Sequence, residues 1–422
     1  MHKVYGMASL ILAAGLIYFA GHLLTHFFER SKIPDVLLLI IIGIVAGPIT
    51  GVMTVERIGY AGNLFTQFAL IIILFEGGLD IELATLVRSA RRSMVMSTAF
   101  FAVSALTVGV IMRFGFDYSP MASAVTGFIC GGTSAAVVIP LLGMIRASKK
   151  VSAMLVIESA LTDVLCIVFT IGVLQSIDSG EFKVWRIVYT LLMSLIVASV
   201  VGVVCGIIWL RIIDWIRGFS NTQFATCFAM FVIYGVTELV GLSGAISALA
   251  FGIIIGNAKI IARKMYNLYL TSSPVGVLTD AEKKLYEELA FLVKIFFFLY
   301  LGMSIPFESS GIVLIALTIV AALFALRPLC AAFLMGGNVT AHDKSIGSVM
   351  LPKGLAAAVL AGLPSQYGMV EGGDIQAVTF HVVLYSIIAT SVLIPLIEKT
   401  KIGTRLDNFF ARNGSANAED ES

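Results

Sequence analysis

The chain has 422 residues, of which 59% are hydrophobic and only 13% charged, against about 25% charged in soluble proteins. A mean hydropathy of +0.98 leaves too little polar surface to coat a water-soluble body, so this is an integral membrane protein with the lipid bilayer as its solvent. Lysine plus arginine (28) nearly balances aspartate plus glutamate (26), which excludes an electrostatic nucleic-acid binder.

Thirteen segments are apolar over the roughly 20 residues a bilayer-crossing helix needs: 6–27, 34–53, 61–82, 93–114, 119–143, 150–177, 184–210, 222–240, 243–262, 285–305, 311–335, 345–367 and 375–397. The first reads as a span rather than a cleaved leader, because no small-residue cleavage site follows its long apolar run. An odd number puts the two termini on opposite sides. Twenty lysines and arginines, from Arg30 and Lys32 to Arg405 and Arg412, fall on one side of this topology. Only Lys3, Arg57, Arg113, Lys183 and Arg186 fall on the other, and Lys294, Arg327 and Lys353 lie inside spans. Positive residues stay inside, so the amino terminus is expected outside the cell membrane and the carboxyl terminus in the cytoplasm.

An internal repeat organises the spans. Gly-Ile-Val-Ala-Gly-Pro at 43–48 is echoed by Gly-Ile-Ile-Ile-Gly-Asn at 252–257, and Gly-Gly-Leu-Asp-Ile at 77–81 by Leu-Gly-Met-Ser-Ile at 301–305. Gly-Thr-Ser-Ala-Ala-Val-Val at 132–138 is echoed by Gly-Leu-Ala-Ala-Ala-Val-Leu at 354–360. The expected organisation is a first six-helix repeat over 1–177, a linker span within 178–220 and a second, inverted six-helix repeat over 221–398. A cytoplasmic tail at 399–422, turning from basic to acidic, reads as disordered. That is the plan of a secondary transporter.

Charges inside the hydrocarbon are costly and point to function or to pairing. Glu76, in the third span beside Gly77 and Gly78, either lines the route to a site or is a packing or gating carboxylate. The fifth span contains Gly131-Gly132-Thr133-Ser134, and the twelfth Pro352-Lys353-Gly354. Both weaken a helix at mid-bilayer, where unwound backbone is tolerated when it lines a cavity; two broken helices crossing near an ion site are expected. Freed carbonyls, Thr133 first among them, would complete a cation's shell. In the sixth span, Glu158-Ser159-Ala160-Leu161-Thr162-Asp163 sets Ser159 and Asp163 on one helical face and Glu158 and Thr162 on another. Asp163 with the Ser159 hydroxyl resembles half of an oxygen cage for a monovalent cation. Glu158 is expected to pair with an intramembrane cation, either Arg327 or Lys353.

Other chemistries find no support. The histidines His2, His22, His26, His342 and His381 lack metal-ligand spacing, and His381 reads as a packing residue. The five cysteines form no CxxC pair, and there is no P-loop, GxSxG or GxGxxG. No cofactor, no nucleotide-binding regulatory domain and no enzymatic activity are expected.

Phe75-Glu76-Gly77-Gly78-Leu79, Gly132-Thr133-Ser134, Glu158-Ser159-x-x-x-Asp163, Arg327-Pro328 and Lys353-Gly354 resemble, in order and spacing, the monovalent cation–proton antiporter superfamily, sodium/proton exchanger branch of prokaryotic type. The resemblance implies thirteen helices, a six-helix core moving against a dimerisation scaffold, and a homodimer. It implies that Asp163 is the ion-binding aspartate, with Ser159 and the Thr133 backbone as co-ligands of Na⁺ or K⁺ and Glu76 as an acid near the path. It implies a structural pair of Glu158 with Arg327, and Lys353 where arginine is usual. Thr162, beside Asp163, is neither the asparagine of the electroneutral branch nor the aspartate of the electrogenic one; lacking a second acid, it favours one-for-one exchange. The expected function is Na⁺/H⁺ exchange by competition at Asp163, with K⁺/H⁺ exchange or a sodium-coupled organic-anion symporter as alternatives.

Overall fold

Proline and glycine interrupt the apolar sequence and set where its helices end. The computed structural model describes residues 15, 18–19, 35–51, 60–80, 83–142, 145, 147–178, 184–219, 222–242, 244–261, 277–305, 309–335 and 339–419, and every regular element among them is helical. In chain order these are α1 (Asp35–Ile44), α2 (Tyr60–Asp80), α3 (Leu83–Val110), α4 (Pro120–Ile129), α5 (Ala135–Leu142), α6 (Lys149–Asp178), α7 (Val184–Ile216) and α8 (Ala225–Leu239). They continue with α9 (Gly244–Gly256), α10 (Asp280–Met303), α11 (Ser310–Leu334), α12 (Ala341–Val349), α13 (Leu355–Leu360), α14 (Leu363–Gln366), α15 (Gly372–Lys399) and α16 (Lys401–Glu419). Single π-helical turns, Val45–Ile49 and Ile111–Gly115, extend α1 and α3. Stretches of α3, α6, α7, α11 and α15 are long and apolar enough to cross a membrane. The span expected at 6–27 lies almost wholly outside the described residues, as does most of the stretch between the spans expected at 243–262 and 285–305.

Two expected spans are broken. The segment 119–143 folds as α4 and α5, and 345–367 as α12, α13 and α14. Ser119 caps α4 by accepting the Ala122 N–H, with Pro120 in the first turn, where no N–H is needed. Thr340 caps α12 by accepting the Asp343 N–H at 3.1 Å. Between the halves, Ser134 N–H donates to the Pro352 carbonyl at 2.8 Å, so the two breaks touch backbone to backbone. A Cβ on Gly354 would collide with the Ser134 side chain; this approach needs glycine.

Lipid is as apolar as leucine, so helices associate here through small residues and buried polar contacts rather than hydrophobic exclusion. Under the sequence pairing, Gly43 corresponds to Gly252 and Gly78 to Gly302. A Cβ on Gly43 of α1 would lie 2.9 Å from Gly302 Cα of α10, and one on Gly252 of α9 would lie 3.2 Å from Gly78 Cα of α2. The glycine partners thus exchange as the pairing requires. Buried apolar side chains form two clusters. The larger is centred on α3–α6 and α11–α15 and reaches α1 and the end of α10. The smaller joins α2, α7, α8, α9 and the start of α10, where the Phe75 ring stacks on Phe251 at 5.8 Å and meets Tyr286 edge-on at 5.6 Å.

The tail departs from expectation. Lys401–Glu419 is a helix rather than a disordered segment: Phe410 is buried on the molecule and Asp407 accepts the Ser345 hydroxyl at 2.6 Å. A partly apolar face with a place to dock outweighs the charged composition. On the same expected cytoplasmic side, a capping box between Thr279 and Glu282 starts α10, and Arg217, just past α7, pairs with Glu282 at 2.6 Å.

Candidate functional site

α6 passes through the larger cluster, and its turn from Glu158 to Asp163 faces two neighbours at once. On one side Arg327 of α11 donates to both Glu158 oxygens, at 2.6 and 3.0 Å, with Glu158 1% and Arg327 4% exposed. Its Nε N–H donates to the Gly347 carbonyl of α12 at 3.0 Å, and the guanidinium stands 4.0 Å over the Phe100 ring. A bidentate, fully buried pair of this kind neutralises both charges and fixes α6, α11 and α12 together. Both Glu158 oxygens are occupied by it, which leaves that carboxylate poorly suited to exchanging ions.

Lys353, expected among the intramembrane ion pairs, forms none among the described residues. Arg327 takes the pair. Lys353 follows Pro352 in the extended crossing, and its fully buried ammonium instead approaches the Gly131 carbonyl at 3.4 Å, beyond the end of α4, where the helix dipole is negative. Its own N–H donates to Ser386 Oγ at 2.9 Å.

The other side of the α6 turn holds the first break. Thr133 N–H donates to Thr162 Oγ1 at 3.1 Å, and the two hydroxyls lie 3.5 Å apart. Gly132 N–H points at Cys166 Sγ at 3.1 Å. Side chains of α6 thereby replace the backbone partners that the broken helix lacks. No backbone hydrogen bond among the described residues ends on the Thr133 carbonyl. Ser159, wholly buried, donates its hydroxyl back to the Leu155 and Val156 carbonyls at 2.9 and 3.1 Å, which leaves its lone pairs available as acceptors. Asp163, one residue past Thr162 and on the Ser159 face, is half-buried. Carboxylate, hydroxyl and carbonyl oxygens suit a hard monovalent cation.

Glu76 stands elsewhere. It lines a small cavity with Ile72, Phe75, Cys227, Met230, Tyr286 and Leu289, contributed by α2, α8 and α10 rather than α6. Three contributors had no part in the sequence reading: Cys166, Ser386 and Phe100. Cys166 was within reach of it, since it follows Thr162 by four residues and so shares its helical face; nothing in the sequence marks Ser386 or Phe100.

The chain is 26% identical over 369 residues to Na(+)/H(+) antiporter 1 of Methanocaldococcus jannaschii, covering 82% of this chain and 81% of that one. It is 24% identical over 388 residues to the K(+)/H(+) antiporter NhaP of Alkalimonas amylolytica, covering 90% of this chain and 64% of that one. Its fold superposes on the solved sodium proton antiporter MjNhaP1 of M. jannaschii with a TM-score of 0.70 at 22% identity, over 92% of this chain and 97% of that one. Residues 15–399 match the family model described as sodium/hydrogen exchanger, transmembrane, and the chain belongs to that family.

Proposed function

We propose that this protein exchanges a monovalent cation, Na⁺ first, for H⁺ across the cell membrane by alternating access, and that cation and proton compete for Asp163. The observation that carries this is the bond from Thr133 N–H to Thr162 Oγ1. It fixes the turn bearing Asp163 and Ser159 against a break in a membrane helix, beside a carbonyl with no backbone partner among the described residues. Glu158 and Arg327 cancel one another, so the site's charge changes with the occupancy of Asp163. A neutralised site crosses a bilayer cheaply and a bare carboxylate does not, which couples the two fluxes. Thr162 brings no second acid, which supports one-for-one, electroneutral exchange. In this reading Glu76 borders the ion path on the cytoplasmic side, within the cavity it lines.

The reading extends to thirteen spans in two inverted repeats, with the amino terminus outside and the carboxyl terminus in the cytoplasm, and to a homodimer. The exchange of glycine contacts between α1–α10 and α9–α2 and the contact of Lys353 with its repeat mate Gly131 support the repeats. K⁺/H⁺ exchange is the second reading, favoured by the similarity to the Alkalimonas protein. Proteoliposomes with a trapped pH dye and an imposed proton gradient separate them. Na⁺, Li⁺ or K⁺ is added in turn to wild type and Asp163→Asn. A cation-dependent pH change lost in the variant is the expected result; robust exchange by Asp163→Asn would overturn the assignment.

A further inference from the structure

The outer ends of the two broken helices are pinned by contacts that the repeat relates to one another. Ser119, at the start of α4, donates its N–H and hydroxyl to the two oxygens of Glu371, just ahead of α15, at 2.9 and 2.8 Å. Beside it, Tyr118 donates its hydroxyl to Asp374 at 3.1 Å. At the other end, Ser148, just ahead of α6, donates its N–H to Asp343 at the start of α12 at 2.9 Å. The pairing of 132–138 with 354–360 carries the start of α4 onto the start of α12, and the entry to α15 onto the entry to α6. Among the described residues the first clasp has three hydrogen bonds and the second has one.

The tail helix α16 supplies what the second clasp lacks. Asp407 accepts the Ser345 hydroxyl of α12 at 2.6 Å, and its other oxygen lies 3.5 Å from His342 Nδ1. Phe410, 2% exposed, anchors the same helix. From Ser345 the path to the crossing is short and rigid. Its carbonyl accepts the Ser348 hydroxyl at 2.7 Å, the Gly347 carbonyl accepts Arg327, and α12 ends at Val349. Pro352 then accepts Ser134 N–H of the first break.

We propose that Asp407 is a positioning residue for cation exchange. Through Ser345 it fixes α12, and with α12 the Met350–Gly354 crossing, whose Pro352 carbonyl accepts the Ser134 N–H of the first break. The tail is then a working part of the transport unit. This rests on exchange at Asp163, and the experiment keeps the two apart by running Asp163→Asn beside the tail variants.

Cation-dependent proton flux is measured in proteoliposomes across a range of Na⁺ for full-length wild type, Asp407→Ala, Asp407→Asn and Ser345→Ala. Thermal unfolding of each variant is followed in detergent. Losing a hydrogen bond to a charged group predicts a KM about tenfold higher in Asp407→Ala, with kcat within about twofold of wild type. Asp407→Asn keeps an oxygen that accepts from Ser345 and returns KM to near the wild-type value. Ser345→Ala reproduces Asp407→Ala, and combining the two adds nothing further. A wild-type KM in folded Asp407→Ala overturns the proposal. So does a loss confined to thermal stability, or additive effects of Asp407→Ala and Ser345→Ala. If wild type itself shows no flux that Asp163→Asn removes, the reading of the site fails instead.

Discussion

The two broken helices meet at one crossing but are held by unlike chemistry. The first break, between α4 and α5, is held from α6 by neutral groups: Thr162 takes the Thr133 N–H and Cys166 the Gly132 N–H. The second, between α12 and α13, carries a fully buried ammonium on Lys353 and is held by Ser386 of α15 and by the backbone of the first. A backbone interruption thus occurs twice at one crossing. Individual residues then divide the work, so that one break gives its Thr133 N–H to the helix of Asp163 and the other sets the Lys353 amine against the end of α4.

The largest way to break this contrast is to remove the anchor that both sides share. Arg327→Ala leaves Glu158 buried and unpaired and frees the Gly347 carbonyl, which should cost about 3–5 kcal/mol. The expected outcome is little monodisperse protein on size-exclusion chromatography in mild detergent; a well-folded variant would show that the pair is dispensable. Next comes Gly354→Ala. Its Cβ would meet the Ser134 side chain, and overpacking of this kind costs about 1–3 kcal/mol. We expect folded protein with exchange slowed about tenfold in the liposome assay, the crossing being forced apart.

Thr162→Val sharpens the contrast from the neutral side. It keeps shape but strands the Thr133 N–H, at about 1–3 kcal/mol. Flux should fall severalfold, while Thr162→Ser, which keeps the acceptor, stays near wild type. The smallest effect lies away from both breaks, at Glu282. Burial raises its carboxyl, but hydrogen bonds from Arg217 and Thr279 outweigh this and hold it below the ordinary carboxylate range. A depressed carboxylate contributes stability that is complete above its unfolded value, about 4.3, and is lost as pH falls through the folded one. Glu282→Gln should therefore unfold more easily than wild type by about 1 kcal/mol at neutral pH, with the gap closing below about pH 4. Thermal unfolding of both across pH checks the sign.

Much of this was legible in the sequence because it is local. Gly131-Gly132 and Pro352-Lys353-Gly354 weaken a helix wherever they stand, and helical spacing alone separates the faces of Glu158 and Asp163. The choice of Arg327 over Lys353 as partner of Glu158 came only with the family resemblance, since in the residues themselves it depends on how α11 and α12 pack against α6. Thr162 reads in sequence only as a missing acid; its hydroxyl acquires a role when the first break folds onto it. The tail was misread through its charged end. Leu406 and Phe410, four residues apart on one helical face, are the signal for a docked helix, and composition drowned it.

The central claim is competition for one carboxylate, and the pH dependence of the cation's KM tests it most directly. Initial ²²Na⁺ uptake into proteoliposomes would be measured at saturating and subsaturating Na⁺, with equal pH on both sides, over steps of decreasing pH. Competition predicts that KM rises towards about tenfold per pH unit once Asp163 binds the proton, while the rate at saturating Na⁺ holds. A KM that stays flat while the saturating rate falls would contradict it, because proton and cation would then occupy different sites.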